Sequence, residues 1–359
     1  MAKKRKLTSI AAHARHLKPA SPSPSSAHST HNKAKSKQLN LSAYHPDLDP
    51  THLTDPSYLF LLPHSLVHPS QIPAPLLKYW RHRFDLFSLY SSGCLLDEQS
   101  WYSITPESVA FRIAKRCATD HIIIDLFAGA GGNAIQFAMT CGKVIAVEID
   151  EVKLRLARWN ARVYGVEERI WFVRGDSMEL LDRLEEWRSG KGKGKGKEGE
   201  VWNGLTAEDL EAVEAVFLSP PWGGVNYASA AAVPTSTTDS PAFAAATEGN
   251  EYSLSAIKPI HGRELFRRVS LSFRTSNIAY YLPRNTSLAQ LSELASLLPA
   301  SDASERDEKV KVEYQYVNKG TKLSSLTAYY GALATEWDEE IDDWKSSPPA
   351  VSLDWSSSP

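Results

Sequence analysis

The chain has little of what marks several protein classes. Only three cysteines occur in 359 residues, Cys94, Cys117 and Cys141. Their odd number and irregular spacing exclude a disulfide framework and offer no metal-ligand pattern, so no metal is expected and the compartment reads as reducing. No apolar run approaches the ~20 residues that cross a bilayer, and the basic N-terminus lacks the apolar core of a signal peptide. The expectation is a soluble, non-secreted chain with no membrane partner. Positive charge is not in excess either: 40 Lys and Arg against 42 Asp and Glu give a net charge of −2. That balance excludes bulk electrostatic binding of a long nucleic acid and leaves only a small local basic site. What remains is an ordinary globular composition, 42% hydrophobic, with enough apolar material for a sizeable core.

Composition divides the chain. Residues 1–55 are rich in Ser, Pro, His and Lys and poor in large apolar residues. They are expected to be a disordered tail, because they bury too little to offset chain entropy. The opening KKRKL has the character of a nuclear localisation signal. Residues 56–118 read as an N-terminal extension, helical from about Leu76, with Thr105, Pro106 and Glu107 as a helix start. From 119 to 335 strands and helices alternate, as a parallel sheet demands. Seven strands are expected: HIIIDLF, KVIAVEI, RIWFVRG, VEAVFLS, NIAYYLP, KVEYQYV and LTAYYGA. The last two are joined by NKGTK, too short for a parallel crossover, so they should close the sheet as an antiparallel hairpin. Low-complexity insertions occupy 190–200 and 228–250, and 336–359 read as a C-terminal tail.

The chemistry concentrates at strand ends. DLFAGAGGN follows the first strand and opens a helix, so Gly129, Gly131 and Gly132 let the backbone turn sharply beside a ligand. Glu148 ends the second strand, where an acid can accept both hydroxyls of a ribose, and Asp176 follows the third. Asp125 beside the glycine turn would repel a pyrophosphate and attract an ammonium and a sulfonium, which favours S-adenosylmethionine over a dinucleotide. On that reading Asp125 and the turn hold the methionine end, Glu148 the ribose and Asp176 the adenine amino group. Asp150, and by alternative Asp176, suit helix caps.

The fourth strand ends in SPPW. Prolines cannot donate to a ladder, so the strand stops at Ser219 and a rigid turn presents Trp222. A tetrapeptide of this kind marks methyltransferases that alkylate an amino group on a planar heterocycle. Its nitrogen lone pair must be aligned by acceptors, here the Ser219 side chain and the Pro220 carbonyl, while Trp222 stacks on the ring.

The stretches KYWRHRFDLFS, WYSITPESVA, DLFAGAGGNAIQFA, VIAVEID, LARWNARVYG, FLSPPWGGVNYA and YYLPRN together resemble the trimethylguanosine synthase family, from about Leu76 to Leu333. The resemblance implies a class I, Rossmann-like methyltransferase fold and methylation of the exocyclic N2 of 7-methylguanosine caps to 2,2,7-trimethylguanosine. It implies that Trp222 stacks on the 7-methylguanine, that Lys78 and Arg284 hold cap phosphates, that Asn160 lies near the cap, and that Phe87, Thr105 and Glu107 close over the donor. Capped small nuclear and nucleolar RNAs are the implied partners, with ribonucleoprotein core proteins beside them, a monomeric enzyme, and a nuclear or nucleolar location. Two alternatives remain: an N-methyltransferase acting on guanine or adenine within RNA, and a cap-binding adaptor without turnover.

Overall fold

Seven segments rich in β-branched and aromatic residues pair into one sheet. In chain order they are β1 (Thr119–Asp125), β2 (Cys141–Glu148), β3 (Ile170–Arg174), β4 (Val213–Leu218), β5 (Ile278–Pro283), β6 (Lys311–Val317) and β7 (Lys322–Tyr329). The computed structural model describes residues 45–190, 199–223, 232–233, 251–298, 310–318 and 320–336. Across the sheet the order is β6-β7-β5-β4-β1-β2-β3. The first five strands run parallel, whereas β7 is antiparallel to β5 and β6 to β7. This is the α/β, mostly parallel sheet with a terminal hairpin that the sequence implies. Strand β7 begins at Lys322, earlier than Leu326, because the tight turn at Asn318 and Gly320, both with positive φ, lets pairing start at Val317 and Lys322.

Period-two alternation sends neighbouring side chains to opposite faces. Ile123, Val144, Ala146, Phe217 and Tyr281 pack under the helices Glu107–Arg116, Gly132–Thr140 and Glu151–Val163. Ile124, Ile145, Val147, Val216 and Leu218 pack under Ser177–Arg188, Gly262–Phe273 and Leu288–Ala295. The sheet reverses its direction of growth between β1 and β4. That switch opens a crevice at the carboxyl ends of these strands, where the glycine turn and SPPW both emerge.

The N-terminal extension differs from expectation in three ways. Helical structure begins before Leu76, with a 3-10 turn at Pro50–Thr54 and a helix at Pro56–Leu61, capped by the side chains of Asp49 and Asp55. From Leu77 the chain forms two short helices, Leu77–Arg81 and Arg83–Leu86, because His82 leaves helical geometry between them. The disordered tail also stops short of residue 55. His45 is buried, donates from Nδ1 to the Tyr90 carbonyl at 2.8 Å and stacks on the Tyr90 ring, and Asp55 pairs with Arg162 at 3.1 Å. A polar composition hid these anchors because one ring and one carboxylate suffice to fix a short segment. Residues 1–44, 337–359 and most of both insertions lie outside the described residues.

The extension is bolted to the sheet domain by polar contacts. Trp159 donates through Nε1 to the Gly93 carbonyl at 2.9 Å. Asn160, next along the same helix, accepts from the Leu95 N–H at 2.8 Å and donates to the carbonyls of Leu95 and Ala130, each at 3.0 Å.

Candidate active site

Asp125 ends β1 with no exposed surface. Its Oδ1 accepts from the Phe127 N–H at 3.1 Å, while Oδ2 has no partner among the described residues. Burial pushes its carboxyl up to about 7, and the nearby Glu148 charge pushes the same way. A buried carboxylate oxygen aimed at nothing is the mark of a site that a cationic ligand would complete. The glycines divide their work. Gly129 has φ +52, and a side chain there would meet only open space, so its backbone faces the crevice. At Gly131, φ +91, a Cβ would lie 2.9 Å from the Ala157 backbone, so this glycine serves close packing of two helices.

Glu148 stands at the end of β2, beside the glycine turn. Its Oε2 accepts from the Gly129 N–H at 2.8 Å and its Oε1 from the Asp150 N–H at 2.9 Å. Burial raises its carboxyl above the ordinary value despite these two donors. Asp150 caps the helix Glu151–Val163, as expected, by accepting from Lys153 N–H at 3.0 Å. Asp176 likewise caps Ser177–Arg188, accepting from the Met178 N–H at 2.8 Å, which is the alternative raised for it from sequence.

The extension residues sit behind the turn. Thr105 is buried and accepts from Asn133 at 2.9 Å. Glu107 is also buried: it accepts from the Ser88 N–H, from the Ser88 hydroxyl at 2.9 Å and from the Tyr164 hydroxyl at 2.7 Å. Phe87 is 1% exposed and packs against Tyr164 with ring centroids 5.8 Å apart. Glu107 therefore clasps the segment that carries Phe87. Asn160, expected near the cap, makes its hydrogen bonds to the protein's own backbone. It has no exposed surface and its amide is engaged by the backbone of Leu95 and Ala130, so it braces the glycine turn from inside.

Strand β4 stops at Leu218 and releases the SPPW turn, as the prolines dictate. The Ser219 hydroxyl donates to the Phe127 carbonyl at 3.3 Å, which points its lone pairs away as acceptors. The Pro221 carbonyl is taken by the Lys258 N–H at 3.0 Å and the Trp222 carbonyl by the Tyr252 hydroxyl at 3.0 Å. Trp222 is half-buried. Its indole donates to the Tyr281 carbonyl at 3.4 Å and leans on the Tyr281 ring at 5.3 Å. Because β4 and β5 are parallel neighbours, with Leu218 beside Tyr280, Arg284 leaves the sheet next to the SPPW turn. Arg284 is exposed and donates to the Leu323 carbonyl at 3.3 Å. Lys78 is exposed on the extension, its Nζ 4.9 Å from the Tyr79 ring centre.

Sequence reading missed Tyr164 and Tyr252. Each donates a hydroxyl to a partner 57 and 30 residues away. Nothing in the local pattern of an aromatic residue announces such a contact.

Comparison with known proteins extends the geometry. Residues 120–237 and 245–333 match the family described as RNA cap guanine-N2 methyltransferase. The chain is similar to the trimethylguanosine synthase of Schizosaccharomyces pombe, 34% identical over 230 residues that cover 63% of this chain and 78% of that protein. It is also similar to the trimethylguanosine synthase of Saccharomyces cerevisiae, 30% identical over 225 residues that cover 60% of this chain and 57% of that protein.

Proposed function

The chain belongs to the RNA cap guanine-N2 methyltransferase family, and on that premise we propose that it converts the 7-methylguanosine cap of small nuclear and nucleolar RNAs to the 2,2,7-trimethyl form. Membership makes it an S-adenosylmethionine-dependent enzyme with an RNA substrate. The observation that carries the finer reading is Trp222, half-buried and fixed at the carboxyl edge of the sheet beside the loop of Arg284.

The residues fit the methyl donor. The orphaned Oδ2 of Asp125 awaits a cationic group, and open space faces Gly129. Asp125 would hold the ammonium of the methionine end. Glu148, already fixing the Gly129 N–H through one oxygen, has lone pairs left for ribose hydroxyls. When bound, the donor supplies an electrophilic methyl group on a sulfonium.

The protein's own work is alignment. N7-methylation makes the guanine ring cationic, which strengthens its stacking on an indole face. Ser219 Oγ and the Pro220 carbonyl accept the N–H groups of the exocyclic nitrogen, so that its lone pair points out of the ring plane. Lys78 and Arg284 neutralise cap phosphates that a net-acidic chain would otherwise repel. The proton leaves to water after transfer. The KKRKL segment supports a nuclear location, and the small basic site supports recognition of the cap rather than the RNA body.

Purified protein with radiolabelled donor should methylate 7-methylguanosine triphosphate and a 7-methyl-capped RNA, and leave GTP and uncapped RNA unlabelled. Labelling of internal bases would favour the alternative activity on guanine or adenine within RNA. Cap binding without label in any substrate would leave a non-catalytic adaptor.

A further inference from the structure

We propose that Tyr252 is a positioning residue for the methyl acceptor, a strut joining the turn that carries Trp222 to the loop that carries Arg284. The inference rests on the cap-methylating reading above. Tyr252 is 1% exposed and belongs, with Leu254, Ile257, Tyr280 and Leu282, to the core on the face of the sheet opposite the N-terminal extension. Its backbone is knitted into the loop after β5. The Tyr252 N–H donates to the Asn285 carbonyl at 2.8 Å, the Ser287 N–H donates to the Tyr252 carbonyl at 3.0 Å, and Tyr252 bridges Thr286 in parallel register. Arg284 is the residue immediately before this stitching.

At the other end, the Tyr252 hydroxyl donates to the Trp222 carbonyl at 3.0 Å. The segment following it adds a second tie, from Lys258 N–H to the Pro221 carbonyl at 3.0 Å. Two successive carbonyls of SPPW are thereby held from one side, while Tyr281 holds the indole from the other through its carbonyl and its ring. The stacking residue and the loop of Arg284 are thus set relative to each other by one residue, its hydroxyl on Trp222 and its backbone on the loop.

The geometry separates a positioning role from a structural one. Tyr252→Phe keeps the ring in its apolar cluster and keeps every backbone bond. It removes the O–H that donates to the Trp222 carbonyl, and that carbonyl is on a half-exposed turn that water can reach. The fold should hardly notice, whereas the angle at which Trp222 meets the base should loosen.

The test compares wild type with Tyr252→Phe using 7-methylguanosine diphosphate as the cap probe and S-adenosylhomocysteine as the donor-site probe. The expected result is a cap Kd and cap KM raised by about three- to tenfold, with donor-site Kd and Tm unchanged and kcat at saturating cap reduced less than KM is raised. In a Trp222→Ala background, compared by kcat/KM so that weak binding stays measurable, Tyr252→Phe should add no further loss. An unchanged cap KM, an equal weakening of both ligands, or additive losses in the double variant would overturn the strut while leaving the functional reading intact. Wild-type protein without affinity for the cap probe would overturn both.

Discussion

Glu148 at the end of β2 and Gly129 in the turn after β1 are joined by a hydrogen bond of 2.8 Å from the Gly129 N–H to the carboxylate. The acid shapes the glycine turn before any ligand arrives. Glu148→Ala should therefore weaken donor binding twice over, by losing the ribose contact and by freeing the turn, for a total of about 2–4 kcal/mol. Glu148→Gln keeps an acceptor for Gly129 and should recover part of that loss. Calorimetric titration with S-adenosylhomocysteine decides it: equal losses in both variants would show that the turn does not depend on the acceptor.

Asp125 gives the donor site a pH dependence. With its carboxyl pushed up to about 7, the group gains its charge as pH rises through neutrality. A cationic donor should bind progressively better up to that point and then level off, falling by up to about tenfold for each pH unit below it. Asp125→Asn should bind weakly at every pH. Folding responds in the opposite sense. The folded pKa lies above the unfolded value of 3.8, so donor-free protein loses this group's contribution to stability as pH rises from the unfolded to the folded pKa. Donor titrations and thermal melts across that range read the two effects separately, and a flat donor profile would remove Asp125 from the ammonium site.

Trp222→Ala should abolish most cap affinity and leave donor affinity intact. The ring is half-buried and bonded, so a stability loss of about 1–2 kcal/mol is expected, below the ~3–5 kcal/mol of a fully buried tryptophan. Wild type should prefer 7-methyl-GTP to GTP, since only the methylated ring carries a fixed positive charge. The preference should shrink in the alanine variant. Fluorescence or calorimetric titration of both nucleotides would expose an unchanged preference, which the stacking role does not survive.

Asn160→Ala distinguishes a brace from a cap contact. The amide makes three buried hydrogen bonds, and leaving their backbone partners unpaired should lower stability by about 2–4 kcal/mol. At a temperature where the variant is still folded, its cap Kd should match wild type. A stable variant with weakened cap binding would restore Asn160 to the ligand.

The sheet was legible because hydrophobic periodicity and β-branched runs are local signals, and SPPW fixed the end of β4 because proline has no N–H to offer a ladder. Asp125, Glu148 and SPPW could be found for a related reason: their position at strand ends follows from the chain order alone. Asn160 and Glu107 could not be read the same way. Their partners, Leu95 and Tyr164, are far off in sequence, and a buried amide or carboxylate carries no local signal of which backbone or hydroxyl it will meet. The short segment around His45 was hidden by a different effect, since average composition has no term for a single well-placed ring.

The ties from Trp159 and Asn160 to Gly93 and Leu95 bear on how the chain is made. A ribosome delivers the N-terminal extension first, yet the groups that pair the Gly93 carbonyl and the Leu95 backbone belong to a helix that emerges some sixty residues later. Until that helix is out, the Gly93 carbonyl and the backbone N–H and carbonyl of Leu95 lack these partners. The ties that dock Gly93 and Leu95 can therefore form only once the middle of the chain has been made, although the extension itself is synthesised first.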